Sequence, residues 1–234
     1  MKKIGIMGGT FNPIHNGHLA IADRAKTQFA LEKVLFMPSG IPYMKDQREV
    51  LPIQTRCEMT ALAIRDISGF ELSRLEAADA AQGKNTYTCN TLQKLRCDAP
   101  ETAYFFLLGA DSLYAMEEWK NPEVIFENCT VLVAVRTGEA STDARLKQSF
   151  VGRVDGKTTG GDFDCVLPQE RLLHQAQYLR KKYGASIEIL EFAGMDISST
   201  QIRERVRRGE SLQGLVPEAV ETYIRQNRLY EKEI

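Results

Sequence analysis

Two histidines three residues apart, behind a glycine-rich turn, are the first residues in this chain with chemistry to offer. They close the segment Gly8-Gly9-Thr10-Phe11-Asn12-Pro13-Ile14-His15-Asn16-Gly17-His18, which follows the apolar run Ile4–Met7. Gly8 and Gly9 lack Cβ atoms, so the backbone can come close to a ligand. The amides of Thr10 and Phe11, with the start of the following helix, are expected to form an anion site. The chain has only three histidines, and the spacing of His15 and His18 lets both face one direction. Imidazoles placed there can donate hydrogen bonds to phosphate oxygens and hold negative charge as it builds up.

A second block, Asp196-Ile197-Ser198-Ser199-Thr200-Gln201-Ile202-Arg203, reads as a capping box, with Ser198 the cap and Gln201 three residues on. The same helix start would present the hydroxyls of Ser199 and Thr200 at a positive end, with the planar donor fork of Arg203 one turn in. Arg205, Arg207 and Arg208 read as a solvated face. Gly109 and Asp111 directly follow a buried strand, where a ligand-contacting loop belongs, and Arg136 follows another. Trp119, the only tryptophan, offers a plane that could stack on a ring or fill a partly buried core position. Lys45, in the loop after the second strand, is by itself an ordinary solvated lysine.

The first segment resembles the Gly-Gly-Thr-Phe-Asp-Pro-x-His-x-Gly-His signature of the nucleotidylyltransferase superfamily, with Asn12 in place of the aspartate. The second is similar to its Ile-Ser-x-Thr-x-Ile-Arg signature. That resemblance implies transfer of a nucleotidyl group, typically adenylyl from ATP. It implies phosphate contacts from His15, His18, Ser198, Ser199, Thr200 and Arg203, and a nucleotide site lined by Gly8, Gly9, Thr10, Phe11, Gly109, Asp111 and Arg136. Thr86-Tyr87-Thr88-Cys89-Asn90-Thr91-Leu92 resembles the Ser/Thr-Tyr-Thr-x-Asp-Thr-Leu block of nicotinate-nucleotide adenylyltransferases, with Asn90 replacing aspartate. By that resemblance Thr86, Tyr87 and Thr88 recognise a pyridine carboxylate, Trp119 stacks on the ring, and Asn12 belongs to the same substrate set. Lys45 matches the lysine of the family's Pro-x-x-x-Pro-x-His-Lys loop, Met44 standing for histidine, which makes it a phosphate contact. Arg56, Met59 and Ala63 match the helix after that loop. Catalysis then falls to His15, His18, Lys45 and Arg203.

The elements that must position these residues are legible as periods. Lys3–Met7, Lys33–Met37, Ala103–Leu108 and Thr130–Val135 are continuous in apolar and β-branched or aromatic residues, as strands buried on both faces are. Phe70–Leu75 and Ser186–Leu190 alternate more and belong nearer the sheet edges. Helical periods run through His18–Ala30, Pro52–Ile67, Thr88–Arg96, Pro168–Tyr183, Ser198–Arg208 and Pro217–Asn227. Strands separated by helices predict an α/β, doubly wound, Rossmann-like parallel sheet with helices on both faces and a small C-terminal helical portion at 197–234. The expectation is a single domain over 1–234 with a loop-like insertion at 138–167. Gly152–Thr158, inside the insertion, looks like a P-loop but has three residues between its glycines where four are needed.

Lys and Arg number 30 against 31 Asp and Glu, a net charge of −1. That balance gives no basic field for nucleic acid or an anionic membrane. Five cysteines without a Cys-x-x-Cys pair suit a reducing cytoplasm, and no apolar run approaches the length of a membrane span. The expected partners are ATP and nicotinate mononucleotide, with magnesium (Mg2+) on the ATP phosphates and no protein metal ligand assigned; a homo-oligomer is compatible with the sequence. Nicotinamide mononucleotide or phosphopantetheine could replace the acceptor, and a non-catalytic nucleotide-binding module is the other reading. A class I tRNA synthetase shares the His-x-Gly-His turn, but the chain lacks its Lys-Met-Ser-Lys-Ser loop.

Overall fold

The computed structural model describes residues 1–41, 50–136, 168–192 and 194–231. Six strands form one sheet: β1 (Lys2–Gly9), β2 (Lys33–Pro38), β3 (Phe70–Leu72), β4 (Thr102–Gly109), β5 (Thr130–Arg136) and β6 (Ile187–Phe192). Their order is β3-β2-β1-β4-β5-β6, with every neighbouring pair parallel. The expected doubly wound architecture is therefore present, and the two alternating segments, β3 and β6, are the edges.

Among the described residues nine α-helices surround the sheet: α1 (Asn16–Gln28), α2 (Ile53–Ile64), α3 (Leu75–Ala81), α4 (Thr88–Asp98), α5 (Ala110–Tyr114), α6 (Pro122–Asn128), α7 (Pro168–Tyr183), α8 (Ser199–Arg207) and α9 (Glu218–Gln226). Alternation along the strands feeds two cores. On one face Leu107 and Leu132 pack with Ala22 of α1, Met59 of α2, Ile202 of α8 and Val220 of α9. On the other, Phe106, Leu108, Val131 and Val133 pack with Leu92 of α4, Leu113 of α5, Ile125 of α6 and Ala176 of α7. Strands covered on both faces have no polar side, which is why they read as unbroken apolar runs.

Strand order reverses between β1 and β4, so the crevice beyond their carboxyl ends is where such sheets take ligands. Gly9 ends β1 and Gly109 ends β4. The C-terminal portion lies on the α1 side, where Leu212, Val216, Ile224 and Tyr230 join the same core as Met7 and Phe11.

Two sequence expectations need correction. β3 stops at Leu72 rather than Leu75, because Leu75 opens α3. Helices α3, α5 and α6 and the 3-10 turn Met116–Glu118 went unread; elements of seven residues or fewer offer too few apolar positions for a period to show. Lys45, the insertion at 138–167 and its P-loop-like stretch lie outside the described residues.

Candidate active site

After Gly9 the chain turns sharply: Phe11 adopts a left-handed backbone (φ 50°), and the Asn12–Pro13 peptide is cis. A Cβ on Gly9 would come within 3.0 Å of the Phe11 ring, so any side chain there must push the ring aside. The Phe11 ring is buried and meets His18 edge-on, with ring centroids 5.0 Å apart. His15 caps α1, and its backbone N–H donates to His18 Nδ1 at 3.3 Å. The two imidazoles stack at 3.7 Å with 26° between planes. With Nδ1 accepting, a neutral His18 carries its proton on Nε2, which becomes the donor end. A Cβ on Gly17 would stand 3.1 Å from His15 Nδ1, so this glycine makes room for the imidazole pair.

The second block docks onto this turn. Ser198 caps α8, its Oγ accepting from the Gln201 N–H at 3.1 Å. One residue on, Ser199 Oγ donates to the Pro13 carbonyl at 2.8 Å. Arg203 donates from Nη1 to the Asn12 carbonyl at 3.0 Å and from Nη2 to Thr200 Oγ1 at 3.3 Å. Capping and convergence thus hold together: the cap fixes the helix start, and the helix start reaches the histidine turn.

Three features of this turn show how its groups are used within the protein. At the start of α1 two backbone amides have partners within the protein: that of Asn16 donates to the Leu215 carbonyl and that of His18 to the His15 carbonyl, both at 2.9 Å. Phe11 is a core residue at 2% exposure, and its ring supports His18. Asn12 faces inward: its Oδ1 accepts from the Leu51 N–H at 3.3 Å and from the Tyr230 hydroxyl at 3.0 Å. Burial raises the Tyr230 phenol's pKa far above its ordinary value, so it stays a donor to that amide.

Across the crevice, Gly109 is open on its Cβ side, and Asp111 is exposed in the first turn of α5. Thr86 is buried, and its Oγ1 accepts from the Ile41 N–H at 3.3 Å. Tyr87 caps α4 beneath Lys120, whose Nζ lies 4.3 Å from the ring centroid, and Thr88 opens the helix. Trp119 is half-buried, edge-on to Phe106 at 6.2 Å. Arg136 ends β5 in register with Phe192 of β6.

Two buried charges tie the loops together. Arg56, 1% exposed, donates from Nε to the Leu51 carbonyl (2.9 Å), from Nη1 to Thr10 (2.7 Å), and from Nη2 to Ser39 (2.8 Å) and Gly40 (3.1 Å). Burial lowers its pKa. Glu76 accepts the Gly40 N–H at 3.2 Å on Oε2 and the Thr91 hydroxyl at 2.9 Å on Oε1. Its carboxyl is pushed up, chiefly by burial, against the opposing hydrogen bonds from Thr91, Gly40 and Thr86. Sequence reasoning missed both functions. The signal for Arg56 was present: Arg56, Met59, Thr60 and Ala63 form one buried stripe at helical spacing, which puts an arginine where a hydrophobe belongs. Glu76 gave none, lying in a helix too short to show a period.

A profile of cytidylyltransferase-like proteins matches residues 6–205. The chain belongs to this family. Proteins described as probable nicotinate-nucleotide adenylyltransferases are 36% identical in Lachnoclostridium phytofermentans (98% of this chain, all of that one) and 37% identical in Geobacter sulfurreducens (97% and 98%). The fold of this cytidylyltransferase-like chain is shared by the Plasmodium falciparum nicotinic acid mononucleotide adenylyltransferase complexed with NaAD, at TM-score 0.70, 16% identity and coverage of 99% and 98%.

Proposed function

We propose that this protein transfers AMP from ATP to nicotinate mononucleotide, giving nicotinate adenine dinucleotide and pyrophosphate, a step of NAD biosynthesis. The observation that carries the reading is the docking of Ser199 and Arg203 onto the carbonyls of Pro13 and Asn12. It brings a guanidinium and a helix start to the turn that carries two stacked imidazoles.

An oxygen of the mononucleotide phosphate attacks the α-phosphorus of ATP; the new P–O bond forms as the bond to the bridging α–β oxygen breaks and pyrophosphate departs. The attacking phosphate, with a second pKa of about 6, is largely ionised at neutral pH and needs no general base. The protein's task is placement, which contributes about 7–11 kcal/mol in favourable cases, and stabilisation of charge at the α-phosphate. In this reading the Nε2–H of His18 meets an α-phosphate oxygen, His15 holds His18 in orientation, and Arg203 faces the remaining phosphates. Gly109 and Asp111 line the nucleotide; Tyr87, Thr88 and Trp119 meet the pyridine. Lys45 and Arg136 enter on the family resemblance alone.

Among the described residues no group of three or more His, Cys, Asp or Glu could hold a metal. Independently of that, we propose a magnesium ion brought in with ATP, held mostly by ATP oxygens and water, which would neutralise phosphate charge when bound. The four described cysteines are free, and no described helix is long and apolar enough to cross a membrane. A reducing cytoplasm is the location we propose, on the odd and scattered cysteine count of the sequence. The test is incubation with ATP-Mg and, separately, nicotinate mononucleotide, nicotinamide mononucleotide and phosphopantetheine, following pyrophosphate. The expected outcome is turnover with the nicotinate acceptor; release with only one of the others overturns the assignment.

A further inference from the structure

The Gly40–Ile41 peptide is gripped from several sides by groups remote in sequence. Arg56 Nη2 takes the carbonyls of Ser39 and Gly40, while Nη1 of the same guanidinium takes the Thr10 carbonyl in the histidine turn. The Gly40 N–H donates to Glu76 Oε2, and the Ile41 N–H donates to Thr86 Oγ1. Glu76 Oε1 takes the hydroxyl of Thr91, one turn into α4. A Cβ on Gly40 would come within 2.7 Å of both the Glu76 carbonyl oxygen and Thr86 Cγ2, so the loop closes here only over glycine. Three segments meet at this peptide: the ATP turn, the loop after β2 and the turn that opens α4.

We infer that Glu76 is a positioning residue for the acceptor: it seats the Thr86–Tyr87 turn against Gly40–Ile41, and Arg56 fixes that peptide to the ATP turn at Thr10. The inference rests on the reading above, in which Tyr87 and Thr88 meet the pyridine. A buried carboxylate that accepts from two donors of the site's own framework, the Gly40 N–H and the Thr91 hydroxyl, contributes distance, not a proton. Its removal leaves the Gly40 N–H without its acceptor inside the protein and lets the acceptor turn shift, while Arg56 still holds the ATP side. The charged groups that face Glu76, Arg56 of α2 and Asp79 of its own helix, lie on the framework and not on the substrate.

Reach and charge can be separated. Glu76→Asp keeps the charge but is one methylene short; Glu76→Gln keeps the reach without the charge. A glutamine oxygen can take the Gly40 N–H while its amide donates to Thr91 Oγ1, whose hydroxyl has the Tyr87 carbonyl as a second acceptor at 3.3 Å. The experiment is steady-state kinetics on the unaltered protein and both variants, varying each substrate in turn. For Glu76→Asp we expect KM for nicotinate mononucleotide to rise about tenfold and KM for ATP to stay within about twofold, with Glu76→Gln close to the unaltered protein. Thr91→Val repeats the test without altering the carboxylate, and should raise the acceptor KM alone. Equal rises in both KM values, an unchanged acceptor KM, or a Glu76→Gln variant as impaired as Glu76→Asp would each overturn the inference while an active unaltered protein preserves the functional reading. An unaltered protein that fails to turn over nicotinate mononucleotide overturns both.

Discussion

His18 owes its orientation to three contacts from two residues: the His15 amide on Nδ1, the His15 ring stacked at 3.7 Å and the Phe11 edge at 5.0 Å. Removing the imidazole leaves that support intact, so His18→Ala should lower kcat about 10²–10³-fold with the melting temperature little changed. Gly17→Ala acts indirectly: its Cβ would sit 3.1 Å from His15 Nδ1, so the ring pair must move. A fall in kcat larger than the change in melting temperature is the expected signature. Glu76 carries a pH dependence of stability. Its folded pKa lies above the usual 4.5, so above that value the folded chain holds a proton the unfolded chain has lost, and stability falls as pH rises towards the folded pKa. Glu76→Gln removes this slope. Melting temperature followed from pH 4 upward should therefore decline less in the variant.

At the scale of elements, α8 is the piece that links stability to chemistry. Its cap, Ser198, bonds the Gln201 amide, while Ser199 and Arg203 on the same helix hold the histidine turn. Losing such a cap costs about 1 kcal/mol. Ser198→Ala should show that loss in chemical denaturation and, because the helix start loosens, a raised KM for ATP with the acceptor KM unchanged. The cap was readable from its Ser-x-x-Gln spacing. The carbonyls that Ser199 and Arg203 hold lie 186 and 191 residues away and were not readable; the resemblance implied only that the two blocks meet at one triphosphate.

Across the whole molecule, Arg56 joins the turn after β1 to the loop before α2 through four main-chain carbonyls. A guanidinium supplies several donors in a fixed plane, which a lysine cannot match. In Arg56→Met those carbonyls lose their partners at roughly 1–3 kcal/mol for each one left buried, against a total stability of about 5–15 kcal/mol. The variant is expected to lose most of its urea resistance and its cooperative far-UV transition; a midpoint near that of the unaltered protein would show that the loops do not depend on the clamp. The C-terminal portion has a similar reach, since Tyr230 donates to Asn12 Oδ1 and the Leu215 carbonyl takes the first amide of α1.

The amino-acid order alone settled the doubly wound sheet, its two edge strands, the histidine turn and the α8 cap, because each is written in neighbouring residues as a period, a glycine or a short spacing. It did not settle which side chains in those turns look outward. Asn12, Phe11 and Thr86 face inward, and Arg56 and Glu76 act as struts, because their partners come from other segments of the chain. A side chain's partners across loops depend on where the sheet brings those loops together. Strand order is decided by the packing of both cores at once, and only there do Thr10, Gly40 and Thr86 become neighbours.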